Sequence, residues 1–229
     1  MTRSYLLILI IFLPLAGFSQ SVSKNNPLYD YEQTLHFGFT IGTHVPDFRL
    51  EFSDEFLNND TLLRLDVDRQ AGFNLGAVIN YHVTENFDVR LIPTLTLASR
   101  SLVGTYASGR EVPKEISSTF VEAPLLLKYK AKRMGNFRFF VLAGAKYNYD
   151  FGSEQDVDQG PEEIPQLVQS YFLYEYGLGL DIYFPYFKFT PQVKFARSPT
   201  NVLVDNDDPI SRSLDGLYPR VTYISFFFE

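Results

Sequence analysis

The sequence predicts an all-β protein, an eight-stranded antiparallel transmembrane up-and-down β-barrel. Apolar and mixed residues alternate with a period of two in segment after segment, which is typical of strands rather than helices. The connections between these segments alternate between short and long. The apolar parts run about nine to eleven residues, the length that a tilted strand needs to cross a bilayer.

The N-terminal sequence MTRSYLLILIIFLPLAGFSQ combines one basic residue, an apolar run and small residues near its end. This pattern is typical of a secretory signal peptide. We expect residues 1–19 to be a signal peptide, residues 20–33 an N-terminal periplasmic segment, and residues 34–229 an outer-membrane β-barrel with four long outer loops. The chain has no Cys, so we expect neither a Cys-linked lipid anchor nor disulfides.

The composition excludes some classes of function. The formal net charge is −7, which disfavours binding to nucleic acid. Beyond the signal peptide no segment is apolar and long enough for a transmembrane helix, so a membrane crossing by the mature chain requires a closed barrel.

Each predicted strand divides into an apolar face and a mixed face. In the sixth strand, Tyr174, Leu178 and their even-numbered neighbours are apolar or aromatic, whereas Glu175 and Asp181 lie on the other face. The last strand is nearly equally apolar on both faces, which leaves its inner and outer sides unassigned. The strands in order are TLHFGFTIG, GFNLGAVINYHV, FDVRLIPTLTLASR, STFVEAPLLLKYK, NFRFFVLAGAKYNYD, YFLYEYGLGLDIYF, FKFTPQVKFA and YPRVTYISFFFE.

Two features fit a simple strand pattern less well. Pro93, Pro124 and Pro191 fall inside predicted strands, where each removes a ladder hydrogen bond and is expected to mark a bulge. The segments DFRLEF and TLLRLDV, within residues 45–70, are candidates for a hairpin that continues beyond the membrane.

The connections predict which end of the barrel faces outward. The short ones lie around residues 84–86, 132–136 and 185–186, and the long polar ones include DEFLNND, YASGREVPKE, GSEQDVDQGPEE and PTNVLVDNDDPISRSLDG. Outer-membrane barrels have short periplasmic turns and long outer loops. Aromatic residues cluster near strand ends and predict interfacial belts: Tyr147, Tyr149, Phe151, Tyr171 and Phe172 on the loop side, and Tyr183, Phe184, Tyr186 and Phe187 on the turn side.

The mixed faces carry the charged residues of the strands. The interior of an eight-stranded barrel is only wide enough for side chains to fill it, so we expect these charges to form a paired polar plug. We interpret them as structural rather than as a conduction or catalytic path. The predicted lumen-facing charge cluster is Arg90, Glu122, Lys128, Arg138, Lys146, Glu175, Asp181, Lys188 and Lys194.

No pattern in the sequence predicts catalysis. The histidines His36, His44 and His82 show no HExxH pairing and have no Cys to join them, so no metal site is expected. The segment GLGLDI lacks the third glycine of a dinucleotide fingerprint, no GxSxG is present, and the acidic loops lack EF-hand spacing. We therefore expect no catalytic residues, no cofactor and no enzymatic activity.

Four segments resemble the PorT family of outer-membrane barrels: NNPLYDYEQTLHFGFTIG, GFNLGAVINYHVTENFDVRLIPTLTLASRSL, STFVEAPLLLKYKAKR and YEYGLGLDIYFPYFKFTPQVKF. The resemblance extends from Asn25 to Glu229. It implies a component needed for type IX secretion of proteases and adhesins and for gliding motility, without catalytic residues. A filled eight-stranded barrel cannot pass folded cargo, so we expect an accessory role. The expected partners are outer-membrane lipid, lipopolysaccharide and other secretion-machine subunits.

Three other interpretations stay open. A generic small barrel for adhesion or membrane integrity would leave cargo export unchanged when it is deleted. A soluble lipocalin-like carrier would turn its apolar face inward and be recovered in the soluble fraction. A barrel-borne lipid enzyme would need a nucleophile and a base at one rim, and no such pair can be named.

Overall fold

The computed structural model describes residues 34–53, 62–106, 111–151, 167–204 and 213–229; the side chains of residues 62–69, 99–106 and 111–118 are outside the description. The predicted signal peptide and the segment 20–33 lie outside these residues. Within them, no helix has the length and apolarity needed to cross a membrane.

The described chain is built from β-strands that continue the period-two pattern of the sequence. They are β1 (Leu35–Phe52), β2 (Leu62–Arg69), β3 (Gly72–His82), β4 (Phe87–Leu91), β5 (Thr94–Tyr106), β6 (Glu111–Lys130), β7 (Phe137–Asp150), β8 (Ser170–Tyr183), β9 (Lys188–Arg197) and β10 (Leu214–Phe228).

These segments form one sheet that closes into a ring. Each strand from β6 to β10 pairs antiparallel with the next, β10 pairs with β1, and β1 pairs with β3. Both β4 and β5 pair with β3 and with β6, so together they are one wall strand. Both β2 and β3 pair with β5, so these two segments are also one wall strand. The ten segments are therefore eight wall strands, and the predicted eight-stranded antiparallel barrel is confirmed.

The two faces of each strand have opposite surroundings. In β8, Tyr174 and Leu178 are 48% and 59% exposed, whereas Glu175 and Asp181 are buried. The apolar side chains are outside and the charged ones inside, the reverse of a soluble protein. This arrangement is also opposite to that of a lipocalin-like carrier.

The expected bulges at the three prolines are absent, because Pro93, Pro124 and Pro191 leave the register of their strands unchanged. The Ile92 amide donates a hydrogen bond to the Pro124 carbonyl at 3.2 Å, so Pro124 lies opposite the short interruption between β4 and β5. The hydrogen bond that the Pro124 nitrogen cannot donate would fall within this interruption. Pro191 lies opposite a similar interruption of the β8–β9 pairing. Because no continuous ladder is broken, no extra residue is needed.

The structure assigns the faces of the last strand and corrects the predicted aromatic belts. In β10, Ile224 points outward and Tyr223 is buried. Tyr171 and Tyr183 are buried as well, so including them in the belts was wrong. Like Glu175, they stand at odd-numbered positions of β8, and side chains at alternate positions point to the same face, here the inner one. The other predicted belt residues are exposed except for Tyr149, which is half-buried.

Two stretches near the outer end differ from expectation. Most of YASGREVPKE belongs to the β5–β6 hairpin, which is paired as far as Thr105 and Glu111, so this connection is not a long loop. DFRLEF extends β1, which pairs there with β10, and LLRLDV lies in β2, which pairs with β5. The described ladder between β1 and the neighbouring wall strand runs from Leu35–Tyr81 to His44–Gly72 and does not reach these two segments.

Leu178 provides a test of which face meets lipid. Leu178→Arg places a charge near the middle of the outer wall and should lower the free energy of unfolding by about 2–4 kcal/mol. The measurement is urea unfolding in lipid vesicles. Tyr186→Arg is the control, because Tyr186 is 91% exposed in a turn, and should cost about 0–1 kcal/mol. Equal costs at the two positions would contradict the assigned faces.

Candidate functional site in the barrel interior

The nine predicted lumen-facing charges are all buried, with exposed fractions from 0% to 6%. Several of them contact residues on strands that are not neighbours in the sheet. Lys128 on β6 reaches Asp181 on β8, and Lys146 on β7 reaches Tyr223 on β10. Contacts of this kind cross the interior of the ring, so the side chains fill the space that the wall encloses.

The first group, here called the upper cluster, consists of Glu122, Lys146, Glu175, Lys194 and Tyr223. Lys146 Nζ lies 3.0 Å from Glu122 Oε1 and 3.5 Å from Glu175 Oε1, and Lys194 Nζ lies 2.8 Å from Glu175 Oε2. The Tyr223 hydroxyl accepts a hydrogen bond from Lys146 at 2.6 Å and donates one to Glu122 at 2.8 Å. The upper cluster thus joins β6 to β9 through ion pairs and adds β10 through the hydrogen bonds of Tyr223.

The ring of Tyr223 adds a second interaction to the upper cluster. The Lys146 and Lys194 ammonium groups lie 4.5 Å and 5.0 Å from its centroid. A cation is attracted to the face of an aromatic ring, and this attraction is stronger in a desolvated site. Tyr223 therefore serves as a hydrogen-bonding bridge and as an aromatic surface between two lysines.

A second ion pair lies closer to the short turns. Lys128 Nζ is 2.8 Å and 2.7 Å from the two carboxylate oxygens of Asp181. The Thr190 hydroxyl donates a further hydrogen bond to Asp181 at 2.7 Å. The ring of Phe140 lies 3.9 Å from the Lys128 ammonium group. This pair is fully buried, so its mutual attraction must offset the loss of hydration.

The remaining predicted charges secure the turn end of the barrel. Lys188 Nζ lies 2.7 Å from Glu229 Oε2, and Arg90 pairs with the same carboxylate. Arg138 donates to the carbonyls of Ala131, at 2.8 Å, and Glu85. Arg138 therefore ties two neighbouring turns together, whereas Arg90 and Lys188 hold the end of β10.

Sequence reasoning missed several members of this interior. Lys130 Nζ and His82 Nδ1 lie 2.7 Å and 2.9 Å from Asp88 Oδ1. All three residues stand at positions that alternate onto the inner face of their strands, as the predicted charges do. Parity alone could have found them. Tyr223 and Glu229 were missed because the two faces of the last strand look alike in the sequence.

Apolar side chains fill further parts of the interior. One cluster contains Val78, Ile92, Leu126, Phe140, Leu142 and Phe227. A second, on the loop side, contains Tyr171, Leu173, Ala196, Val202, Leu217 and Tyr223. Arg90, Lys128, Arg138 and Lys146 are among the largest fully buried side chains, so the part of the lumen that they line holds no water-wide channel.

The described interior lacks a group of side chains suited to binding a metal ion. Over the described ranges, no group of three or more His, Cys, Asp and Glu side chains could hold one. The carboxylates are instead held by lysines and arginines, which suits stabilisation of the barrel better than coordination chemistry.

Comparison with known proteins gives one family match. The family model described as "Outer membrane protein beta-barrel domain" matches residues 18–204. No curated protein matches the sequence.

Solved structures with a similar fold include two proteins that are described as outer membrane proteins, OprG and AlkL. OprG from Pseudomonas aeruginosa has 16% identity and a TM-score of 0.49, covering 85% of this chain and 91% of OprG. AlkL, solved in lipid bilayers, has 15% identity and a TM-score of 0.44, covering 91% and 97%. Ail, the attachment invasion locus protein of Yersinia pestis, has 13% identity and a TM-score of 0.36, covering 86% and 98%. These similarities carry no information about substrates or partners.

The Lys128–Asp181 pair allows a test of the interior by a double-mutant cycle. Lys128→Met leaves the Asp181 carboxylate buried without its cation and should lower the free energy of unfolding by about 3–5 kcal/mol. Lys128→Met with Asp181→Asn should cost clearly less than the sum of the single changes, because no charge is left buried. Urea unfolding in vesicles measures each value. Additive costs would contradict a direct interaction.

Proposed function

The chain belongs to the outer membrane protein beta-barrel domain family, and from this premise we propose that it is an accessory component of protein export by a type IX secretion system. It is a small barrel of the outer membrane. In this proposal the signal peptide of residues 1–19 directs the chain across the inner membrane, and the barrel has no enzymatic activity. The barrel supports export through its surfaces and not as the route of the cargo.

The filled interior is the observation that supports an accessory role rather than a role as the export channel. The charged side chains are paired, and two apolar clusters and buried uncharged polar side chains occupy space between them. A polypeptide could pass only if these side chains were displaced and their ion pairs broken, which would leave buried charges without partners. An assembly or docking role requires no such opening.

The export role itself rests on the resemblance of four sequence segments to the PorT family. In that role the partners are larger secretion-machine subunits, which contact the outer loops or the periplasmic turns. Residues 84–86, 132–136 and 185–186 form the turn end, where Tyr186 is almost fully exposed. Lipid and lipopolysaccharide surround the wall.

The second candidate is a generic small barrel that maintains membrane integrity or mediates adhesion. The observation that favours it is the same neutralised interior, because a paired and packed core is sufficient to explain a stable wall without any secretion partner. The two candidates differ in what is lost on deletion. The first predicts loss of export with an intact membrane barrier, and the second predicts sensitivity to detergents or loss of adhesion with normal export.

The closed interior predicts that the purified barrel does not conduct ions. In planar bilayers the wild-type protein should give no sustained open-channel current at about 0.15 M salt, because the charged residues inside are buried and paired. Refolding is checked in the same samples by heat-modifiable gel mobility. A steady conductance from correctly folded protein would contradict a filled lumen.

A deletion strain tests the export role. Loss of the gene should stop secretion of proteases that carry the C-terminal secretion signal and leave detergent resistance unchanged. The secreted activity and the periplasmic retention of cargo are measured together. Re-expression of the wild-type chain is the positive control, and re-expression of the folded Lys128→Met/Asp181→Asn variant should also restore export. Normal export in the deletion strain would overturn the proposal.

A further inference from the structure

Two arginines face each other on the outer surface of the barrel. Arg197, the last residue of β9, lies directly opposite Arg220 on β10 in the antiparallel pairing. Both have the parity of the lipid-facing residues of their strands and are half-buried. Like charges at directly opposite positions repel each other and destabilise a sheet. This position therefore costs stability unless an anion lies between the two side chains.

Within the described ranges, little compensates the charge of these two arginines. Among the described residues, neither guanidinium makes an ion pair or a hydrogen bond. The row to which they belong continues to Tyr174 on β8 and Asp47 on β1. Asp47 Oδ1 already accepts a hydrogen bond from the Phe48 amide at 2.9 Å. With two arginines and one carboxylate, the row keeps a positive charge.

The height of this row on the wall restricts the ligand. Arg197 leads directly into the 198–213 connection, at the end of the barrel opposite the short turns, which is the outer end in this class of protein. The next outward residues toward the membrane centre are aromatic: Phe195 and Tyr176 lie with their rings 5.6 Å apart. The arginines thus lie at the level of the outer aromatic belt, near Phe172, where the apolar band meets the lipid headgroups.

We propose that Arg197 and Arg220 form a binding site for a phosphate group of a phosphorylated glycolipid in the outer leaflet. A guanidinium group binds phosphate oxygens through paired N–H donors, and two neighbouring guanidinium groups can bind the same phosphate. The acyl chains of such a lipid would lie against the aromatic surface formed by Tyr176, Phe195 and their neighbours. This site depends on the outer-membrane location and not on the export role.

The other arginine near this rim provides a matched control. Arg49 lies on β1, one row farther out, and forms an ion pair with Glu51 at 2.6 Å. Its guanidinium also stacks over Tyr218, 4.4 Å from the ring centroid. Because Arg49 is already neutralised, removing its charge should not affect a phosphate bound at Arg197 and Arg220.

The test measures glycolipid binding to the full-length protein, refolded in an uncharged detergent. The probes are bisphosphorylated lipid A, the same glycolipid after removal of its phosphates, and inorganic phosphate, and native mass spectrometry counts the retained molecules. Wild-type protein should retain lipid A. Arg197→Gln/Arg220→Gln should bind it at least about tenfold more weakly, whereas Arg49→Gln should bind within about twofold of wild type.

Thermal unfolding distinguishes a loss of lipid binding from a loss of folding in the double variant. Without lipid, the double variant should melt no lower than wild type, because the repulsion between the arginines is gone. With lipid A, wild type should gain stability and the double variant should not. Retention of the dephosphorylated glycolipid at the same level, equal loss in Arg49→Gln, or full competition by millimolar inorganic phosphate would each overturn the proposed glycolipid site.

Discussion

The narrow interior of an eight-stranded ring is the constraint on which the rest of this structure depends. Such a barrel leaves no room for bulk water, so every charged side chain that points inward needs a protein partner. Lys146 meets this requirement between Glu122 and Glu175, and Lys128 meets it at Asp181. These pairs link the three consecutive strands β6, β7 and β8, so neutralising the interior also holds these strands together.

The same constraint directs function to the surfaces of the barrel. The interior side chains use their charges to hold one another and the turn carbonyls, as Arg138 does with Ala131. What remains available to other molecules is the aromatic wall, the outer rim and the short turns. Arg197 and Arg220 differ from the interior charges in this respect, because they lie side by side on the outside and neither forms an ion pair with another described residue.

Much of the fold was predictable because apolar and charged side chains alternate along the strands, and a membrane barrel turns the apolar ones outward. Glu175 and Asp181 share one parity in β8 and Leu178 the other, which was sufficient to orient that strand. Parity was not sufficient for β10, where Tyr223 points inward and Ile224 outward although both look apolar in the sequence. The orientation of Tyr223 follows from the lysines and glutamates of other strands, which no local pattern contains.

The prolines and the pairing of charges illustrate the same limit. Whether Pro124 breaks a ladder depends on the neighbouring strand, which is interrupted opposite it. The members of the interior cluster could be named from parity, but their partners could not, because ion pairing across a ring depends on register and strand tilt. Glu229 is the clearest case, since its role appears only when β4 and β9 are brought to the end of β10.

A spin-label scan of β8 measures directly which face of the strand meets lipid, and it is feasible because the chain has no native Cys. Single cysteines at positions 173–178 would carry a nitroxide label in lipid vesicles. Labels at positions 174, 176 and 178 should be accessible to oxygen dissolved in the bilayer, and a label at position 175 should be shielded from oxygen and from water-soluble nickel reagents. Strong accessibility of position 175 to the nickel reagent, with none of the period-two oxygen signal, would contradict a filled interior that is lined by Glu175.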